Sequence, residues 1–321
     1  MVPGIKDILM ILPEIVVAVA ACVLLMVEFL CRKNDRAIIG VFALLTAATA
    51  ACISIYLMTT DYMGGVAFAG MFILDGYSTM FKLIFYLATI LSIVLSFYYT
   101  REEGIRGGEY YTLMLFSLCG MMVMASGRDL LTIYIGLELM SLPVYVLTGF
   151  LEKDKRSVEG AMKYVILGGF SSGILLYGIS IVYGITGSTE LTAIAKAFGE
   201  ADGLTPVLGL AIVGLICGFG FKVAAVPFHA WTPDVYEGAP TPVTAFMSVG
   251  PKAAAFAVFL RVFTEGLVPV YEHWQFVVAV VAVATMFYGN IVAIVQTNIK
   301  RMLAYSSIGH AGYALLGLLP A

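Results

Sequence analysis

Ten apolar runs, each long enough to cross a bilayer, constrain this chain more than any other feature. They lie at about 8–30, 37–58, 72–99, 110–127, 130–150, 157–185, 206–226, 240–264, 274–296 and 301–319, and a spanning helix needs roughly 20 predominantly apolar residues. In hydrocarbon every backbone N–H and C=O must be bonded within the chain, so single runs of this length must be helices. Of the 321 residues 61% are apolar and only 12% charged. The bilayer is therefore the solvent for most of the surface, and the sequence predicts one all-α polytopic membrane bundle of about ten transmembrane helices. The net charge of −3 excludes a polybasic nucleic-acid binder. Cys22, Cys31, Cys52, Cys119 and Cys217 are scattered, with no CxxC or Cys/His cluster, so neither a disulfide framework nor a zinc or iron–sulfur site is supported.

Basic residues set the expected orientation. Loops on one side hold Arg32, Lys33, Arg36, Arg101, Arg106, Lys153, Lys155, Arg156, Lys300 and Arg301, against Lys6, Arg128 and Lys196 on the other. The excess places the first group in the cytoplasm and the N-terminus outside. Connections are short except 186–205, which reads as a surface helical turn. Residues 19–22, VAAC, imitate a lipoprotein cleavage box, but Pro13 and Glu14 interrupt the upstream run and the apolar stretch continues through Leu30, so a spanning helix is expected. The chain closes at Leu318-Leu319-Pro320-Ala321 without a polar tail, which reads as a truncated terminus.

The stretch Phe219–Lys252 is where the pattern breaks. It carries Lys222, His229 and Lys252 together with Pro227, Pro233, Pro240, Pro242 and Pro251. A lysine at mid-bilayer costs about 3 kcal/mol on insertion scales, and Pro227 cannot bond Val223 in a regular helix. Interrupted backbone at membrane depth is tolerated only where protein or a wet cavity surrounds it. Glu138 is the sole charge of the run Leu130–Phe150, near its centre, and Glu159 and Lys163 share a helix face four residues apart. Burial disfavours an ammonium and a nearby carboxylate favours it, so a buried lysine whose acidic neighbour comes and goes can load and release a proton. The competing reading is a set of static ion pairs. Glu138, Lys163, Lys222 and Lys252 at about 3 kcal/mol each would together cost on the order of 12 kcal/mol, which favours the mobile reading for the set.

Other positions carry weaker signals. Lys82 follows Asp75 by seven residues and is expected to pair with it or with a neighbouring subunit. Arg261, near the outer end of its run, is expected to snorkel. His229 is either a proton relay between Lys222 and Lys252 or a polar plug for freed carbonyls, and His310 is either relay or packing. His273 falls in an outer loop. Gly169-Phe170-Ser171-Ser172-Gly173 fits G-x-S-x-G, yet that signature needs a strand–turn–helix context, whereas here small residues in a spanning helix allow close packing. Gly218-Phe219-Gly220 lacks the third glycine of a dinucleotide fingerprint.

The segments LTIYIGLELMSLPVYVL (131–147), EGAMKYVILGGFSSGILLYG (159–178), FKVAAVPFHAWTPDVYEGAPTPVTAF (221–246) and NIKRMLAYSSIGHAGY (298–313) resemble the antiporter-like membrane subunits of respiratory complex I, the proton-translocating NADH–quinone oxidoreductase. Within that group VYEGAPTPV and YSSIGHAGY look most like subunit N. The resemblance implies a 14-helix fold with two inverted five-helix repeats, each containing a broken helix. It would make 1–109 three N-terminal helices, 110–265 the first repeat with its seventh span broken, and 266–321 the start of the second. It carries the family's proton-translocating positions onto Glu138, Glu159, Lys163, Lys222 and Lys252, with Glu138 and Lys163 expected to form a switchable pair. It further implies no cofactor in this chain, other membrane subunits as partners, NADH and quinone bound elsewhere in the complex, and a bacterial inner-membrane location. A cation/proton antiporter or membrane-bound hydrogenase subunit, or an inert scaffold in the same complex, are the rival readings.

Overall fold

The computed structural model describes residues 4–30, 36–105, 107–200 and 205–319; Cys31, Arg32, Lys33, Arg106, Pro320 and Ala321 lie outside the described residues. The helices are α1 (Ile5–Met10), α2 (Leu12–Leu30), α3 (Arg36–Met58), α4 (Gly76–Glu102), α5 (Glu109–Ser126), α6 (Leu130–Thr148), α7 (Lys155–Thr186), α8 (Leu191–Gly199), α9 (Pro206–Val223), α10 (Thr232–Gly238), α11 (Thr241–Arg261), α12 (Tyr271–Ile294) and α13 (Ile299–Leu316). Each of the ten apolar runs is a helix of 18 residues or more. Among the described residues seven, within 37–58, 76–102, 130–148, 155–186, 206–223, 241–266 and 268–294, are long and apolar enough to cross a bilayer. The VAAC box lies inside α2 and the G-x-S-x-G pentapeptide inside α7. The helical turn expected in 186–205 is α8.

Helix boundaries follow local chemistry. Asp75 caps α4 by accepting from Ser78 N at 2.7 Å, and Asp129 caps α6 by accepting from Leu131 N and Thr132 N, satisfying donors that a helix start leaves orphaned. Thr205 caps α9 ahead of Pro206, which suits the first helical position.

The chain divides into two compact units. The first comprises Met1–Lys153 and Ala239–Ala257, the second Asp154–Gly238 and Val258–Ala321. In the first, α2, α3, α4, α5 and α6 pack side by side. A Cβ on Gly120 would fall 2.3 Å from Met140 N, so glycine is what lets α5 and α6 approach so closely. In the second, α7 packs on α9, α12 on α13, and α10 on both α7 and α13. A Cβ on Gly289 would lie 2.5 Å from Gly309 N, a close approach of the same kind between α12 and α13.

The structure departs from the sequence expectation at three places. The run 72–99 begins as a strand: β1 (Gly65–Ala67) and β2 (Phe72–Leu74) form an antiparallel hairpin whose apolar side joins Met10 and Leu57 in a small core. Lys82 is wholly buried, 0% exposed, and pairs at 2.5 Å with Glu14 of α2, itself 3% exposed. Asp75 lies at the start of α4, whereas Lys82 points between helices. Tyr86, one turn along, bonds Ser54 of α3 at 2.8 Å, the Phe72 ring lies 5.1 Å from Lys82 Nζ, and Cys119 of α5 reaches the Glu14 carbonyl. Arg261 does not snorkel: it is buried and pairs with Glu265 at 2.9 Å, one turn on, in the π-helical turn Val262–Gly266.

Candidate functional site

The second unit holds the broken helix. α9 stops at Val223, where Ala224 takes a left-handed conformation (φ 61°), costing on the order of 1–2 kcal/mol for a residue with a Cβ. Residues 224–231 then run irregularly to α10. Their polar backbone finds partners inside the unit: Ala225 N bonds Gly220 O at 2.8 Å, Val226 N bonds Thr285 Oγ1 at 2.9 Å, and Trp231 Nε1 donates to Phe221 O at 3.0 Å. Trp231 is held by a parallel stack on Tyr164 of α7, 4.4 Å between centroids. This is how unpaired backbone becomes tolerable at membrane depth.

Lys222 occupies the last turn of α9 and is 6% exposed. Its Nζ lies 5.9 Å from the Phe221 ring centroid. His229 sits within the break, its ring 4.5 Å from that of Tyr288 on α12. The His229 Nδ1 is buried and has no hydrogen-bond partner among the described residues.

Three residues after His229 the chain enters α10, which carries two acids to a cluster that sequence reasoning missed. Lys163 Nζ lies 2.7 Å from Glu159 Oε1, confirming their shared face, and 2.6 Å from Asp234 Oδ2. The other oxygen of Asp234 accepts from Arg301 at 2.7 Å, and Arg301 also contacts Glu237 at 3.0 Å. Glu237 in turn meets Arg156 at 3.0 Å and Asn298 at 3.1 Å, while Lys300 bonds the Glu237 carbonyl. Lys163 is 42% and Glu159 65% exposed, so Lys163 is not the deeply buried charge expected from its run. It lies two turns into α7, near the helix end. Burial would raise the Asp234 carboxyl, but hydrogen bonds and charge from Lys163 and Arg301 hold it below its ordinary value. A carboxyl held low stabilises the fold above its reference of about 3.9 and loses that contribution only as pH falls through the depressed value, so the bridge is intact across the neutral range.

The signal for these acids was present in TPDVYEGAP: two ionisable residues three apart amid apolar sequence are a functional hypothesis by default in a membrane protein. In the sequence Arg301 reads only as a loop charge.

In the first unit Glu138 lies part-buried on α6, with Tyr134 and Tyr145 as electrostatic neighbours along the same helix face. Lys252 is buried on α11, just after Pro251. His310, on α13 of the second unit, is exposed in this chain, with its ring 5.8 Å from Tyr313. Among the described residues no three His, Cys, Asp or Glu side chains converge as metal ligands.

The described residues thus form a helical bundle with a lysine at a broken helix and a bridged set of charges in the same unit. This chain belongs to the NADH:quinone oxidoreductase/Mrp antiporter transmembrane family, whose sequence model matches residues 127–320. It is 55% identical to NADH-quinone oxidoreductase subunit N 2 of Rhizobium meliloti (strain 1021) over 95% of this chain and 63% of the relative. It is 45% identical to NADH-quinone oxidoreductase subunit N of Granulibacter bethesdensis over the same shares. Among solved structures it is similar to a chain of respiratory complex I from Thermus thermophilus with bound aureothin, at 35% identity and TM-score 0.78, covering 95% of this chain and 64% of that one. The chain thus spans somewhat under two thirds of the length of these relatives.

Proposed function

We propose that this chain is a proton-translocating membrane subunit of a bacterial NADH–quinone oxidoreductase, of the subunit N type. The observation that carries the reading is Lys222: a buried ammonium in the last turn of a helix that breaks immediately after it. Sequence likeness to proteins named NADH-quinone oxidoreductase subunit N supports the particular complex. In this reading Glu138, Glu159, Lys163, Lys222, His229 and Lys252 move protons, His310 extends the relay, and α5 to α11 form the first repeat with α12 and α13 opening the second. The chain holds no redox cofactor of its own. Other membrane subunits are its partners, and NADH and quinone are bound by them or by the rest of the complex.

Two tests address the reading. Glu138 changes its protonation during turnover in this reading, so Glu138→Gln should lower proton translocation several-fold in the assembled complex while the chain still accumulates. Unchanged coupling of proton movement to electron flow in that variant would remove Glu138 from the path. Orientation is tested separately. The basic-residue asymmetry places 100–109 and 151–158 in the cytoplasm and 186–205 outside, so a cysteine at position 196 should react with an impermeant thiol reagent only from the outer side. Labelling from the cytoplasmic side would invert the topology.

A further inference from the structure

We infer that Asp234 is a shared counter-ion and that Arg301 is the positioning residue that lets Lys163 give up its proton. This deepens the proton-translocating reading and rests on it. Asp234 uses both oxygens at once, Oδ2 at 2.6 Å from Lys163 and Oδ1 at 2.7 Å from Arg301. The two cations differ in kind. A lysine ammonium loses its proton readily when its surroundings change, whereas a guanidinium stays charged throughout the accessible pH range. When Lys163 is charged, Asp234 serves both. When the Lys163 N–H bond breaks, the proton passes to water, where the new O–H bond forms, because the Lys163 side chain is itself 42% exposed. Asp234 is then left neither unpaired nor forced to protonate, because Arg301 still compensates it. Without Arg301, neutral Lys163 would strand a part-buried carboxylate, and the penalty for leaving a charge uncompensated would hold the proton on the lysine.

The placement of the three partners adds meaning to the geometry. Asp234 rides on α10, directly after the break that follows Lys222, and Arg301 begins α13, so a shift of the short helix would change how Asp234 divides between its two cations. Glu237 steadies the same helix through Arg301, Arg156 and Asn298. The charged groups facing Lys163 within this unit are Glu159 from α7 and Asp234 from α10, with Arg301 of α13 behind the latter. Of the other helices packed on α7 here, α9 carries only Cys217 and Lys222 as ionisable side chains. The ionisable side chain of α8 is Lys196, and α8 follows the opposite end of α7.

The experiment is the pH profile of proton translocation by the assembled complex in membrane vesicles, with the full-length chain carrying Arg301→Gln. The alkaline limb is expected to move up by about one pH unit, with a several-fold lower rate at neutral pH and recovery of both in Arg301→Lys. A rate loss with an unmoved profile, or no change at all, would overturn the assignment and leave Arg301 a structural charge. Should Arg301→Gln fail to accumulate, the charge-balanced double variant Arg301→Gln/Asp234→Asn takes its place. There Lys163 loses one of its two carboxylate partners, keeping only Glu159, and the limb is expected to move down instead; an unmoved or upward limb overturns the proposal. Lys222→Ala measured in parallel separates the two levels. Normal translocation in that variant sinks the functional reading itself, whereas lost translocation with an unmoved Arg301→Gln profile sinks only the shared counter-ion.

Discussion

Replacing Lys82 by methionine should destabilise the chain by about 3–5 kcal/mol, the loss expected when one partner of a buried ion pair is removed and the other stays charged. Glu14 would then lie 3% exposed with no counter-ion, having lost its contact with Lys82 at 2.5 Å. Such a change is a large share of a net stability that is typically about 5–15 kcal/mol. The informative comparison is the double variant Lys82→Met/Glu14→Leu. Apolar replacements of similar volume commonly match or exceed a buried pair in stability, so the double variant should recover most of what the single one loses. Thermal unfolding of the purified protein in detergent reads both. If the double variant is as unstable as the single, the loss comes from packing around Phe72, Tyr86 and Ser54 and not from the stranded charge.

The largest functional effect is expected at Lys222. In Lys222→Ala a charge that is costly to insert is removed from a buried position, so the chain should accumulate and assemble. Proton translocation should nonetheless fall by most of its value, because no other side chain in the last turn of α9 can carry a proton. The break itself should survive. Its backbone is bonded by Trp231, Thr285 and Gly220, none of which depends on the lysine. Loss of the chain from the membrane in Lys222→Ala would contradict that separation of structure from function.

The parts of the fold legible in the sequence were those that depend on local physics. Apolar length alone placed all ten long helices, and Pro227 with its neighbours marked the break, which falls three residues before the end assigned to that span. Glu159 and Lys163 were found together because a helix fixes their spacing. What was not legible depended on contacts distant in sequence. Glu14 registered only as an interruption of an apolar run, since its partner Lys82 is 68 residues away on a different helix. Phe72-Ile73-Leu74 read as the start of a span because three apolar residues do not distinguish a strand from a helix. The hairpin is instead built by consecutive left-handed residues at Phe68, Ala69 and Gly70, two of which carry side chains that disfavour that conformation. Asp234 and Glu237 stand out as acids amid apolar sequence, but their partners come from α7 and α13 and are brought together only by the fold.

The most direct measurement of the central claim is proton translocation by membrane vesicles carrying Lys222→Arg in the assembled complex, driven by NADH. Arginine keeps the positive charge, nearly the same length and the burial of position 222, but it cannot release a proton. If Lys222 carries protons, translocation per NADH should fall as far as in Lys222→Ala even though the charge is retained. Full translocation by the arginine variant would contradict this, showing that the end of α9 needs only a fixed positive charge.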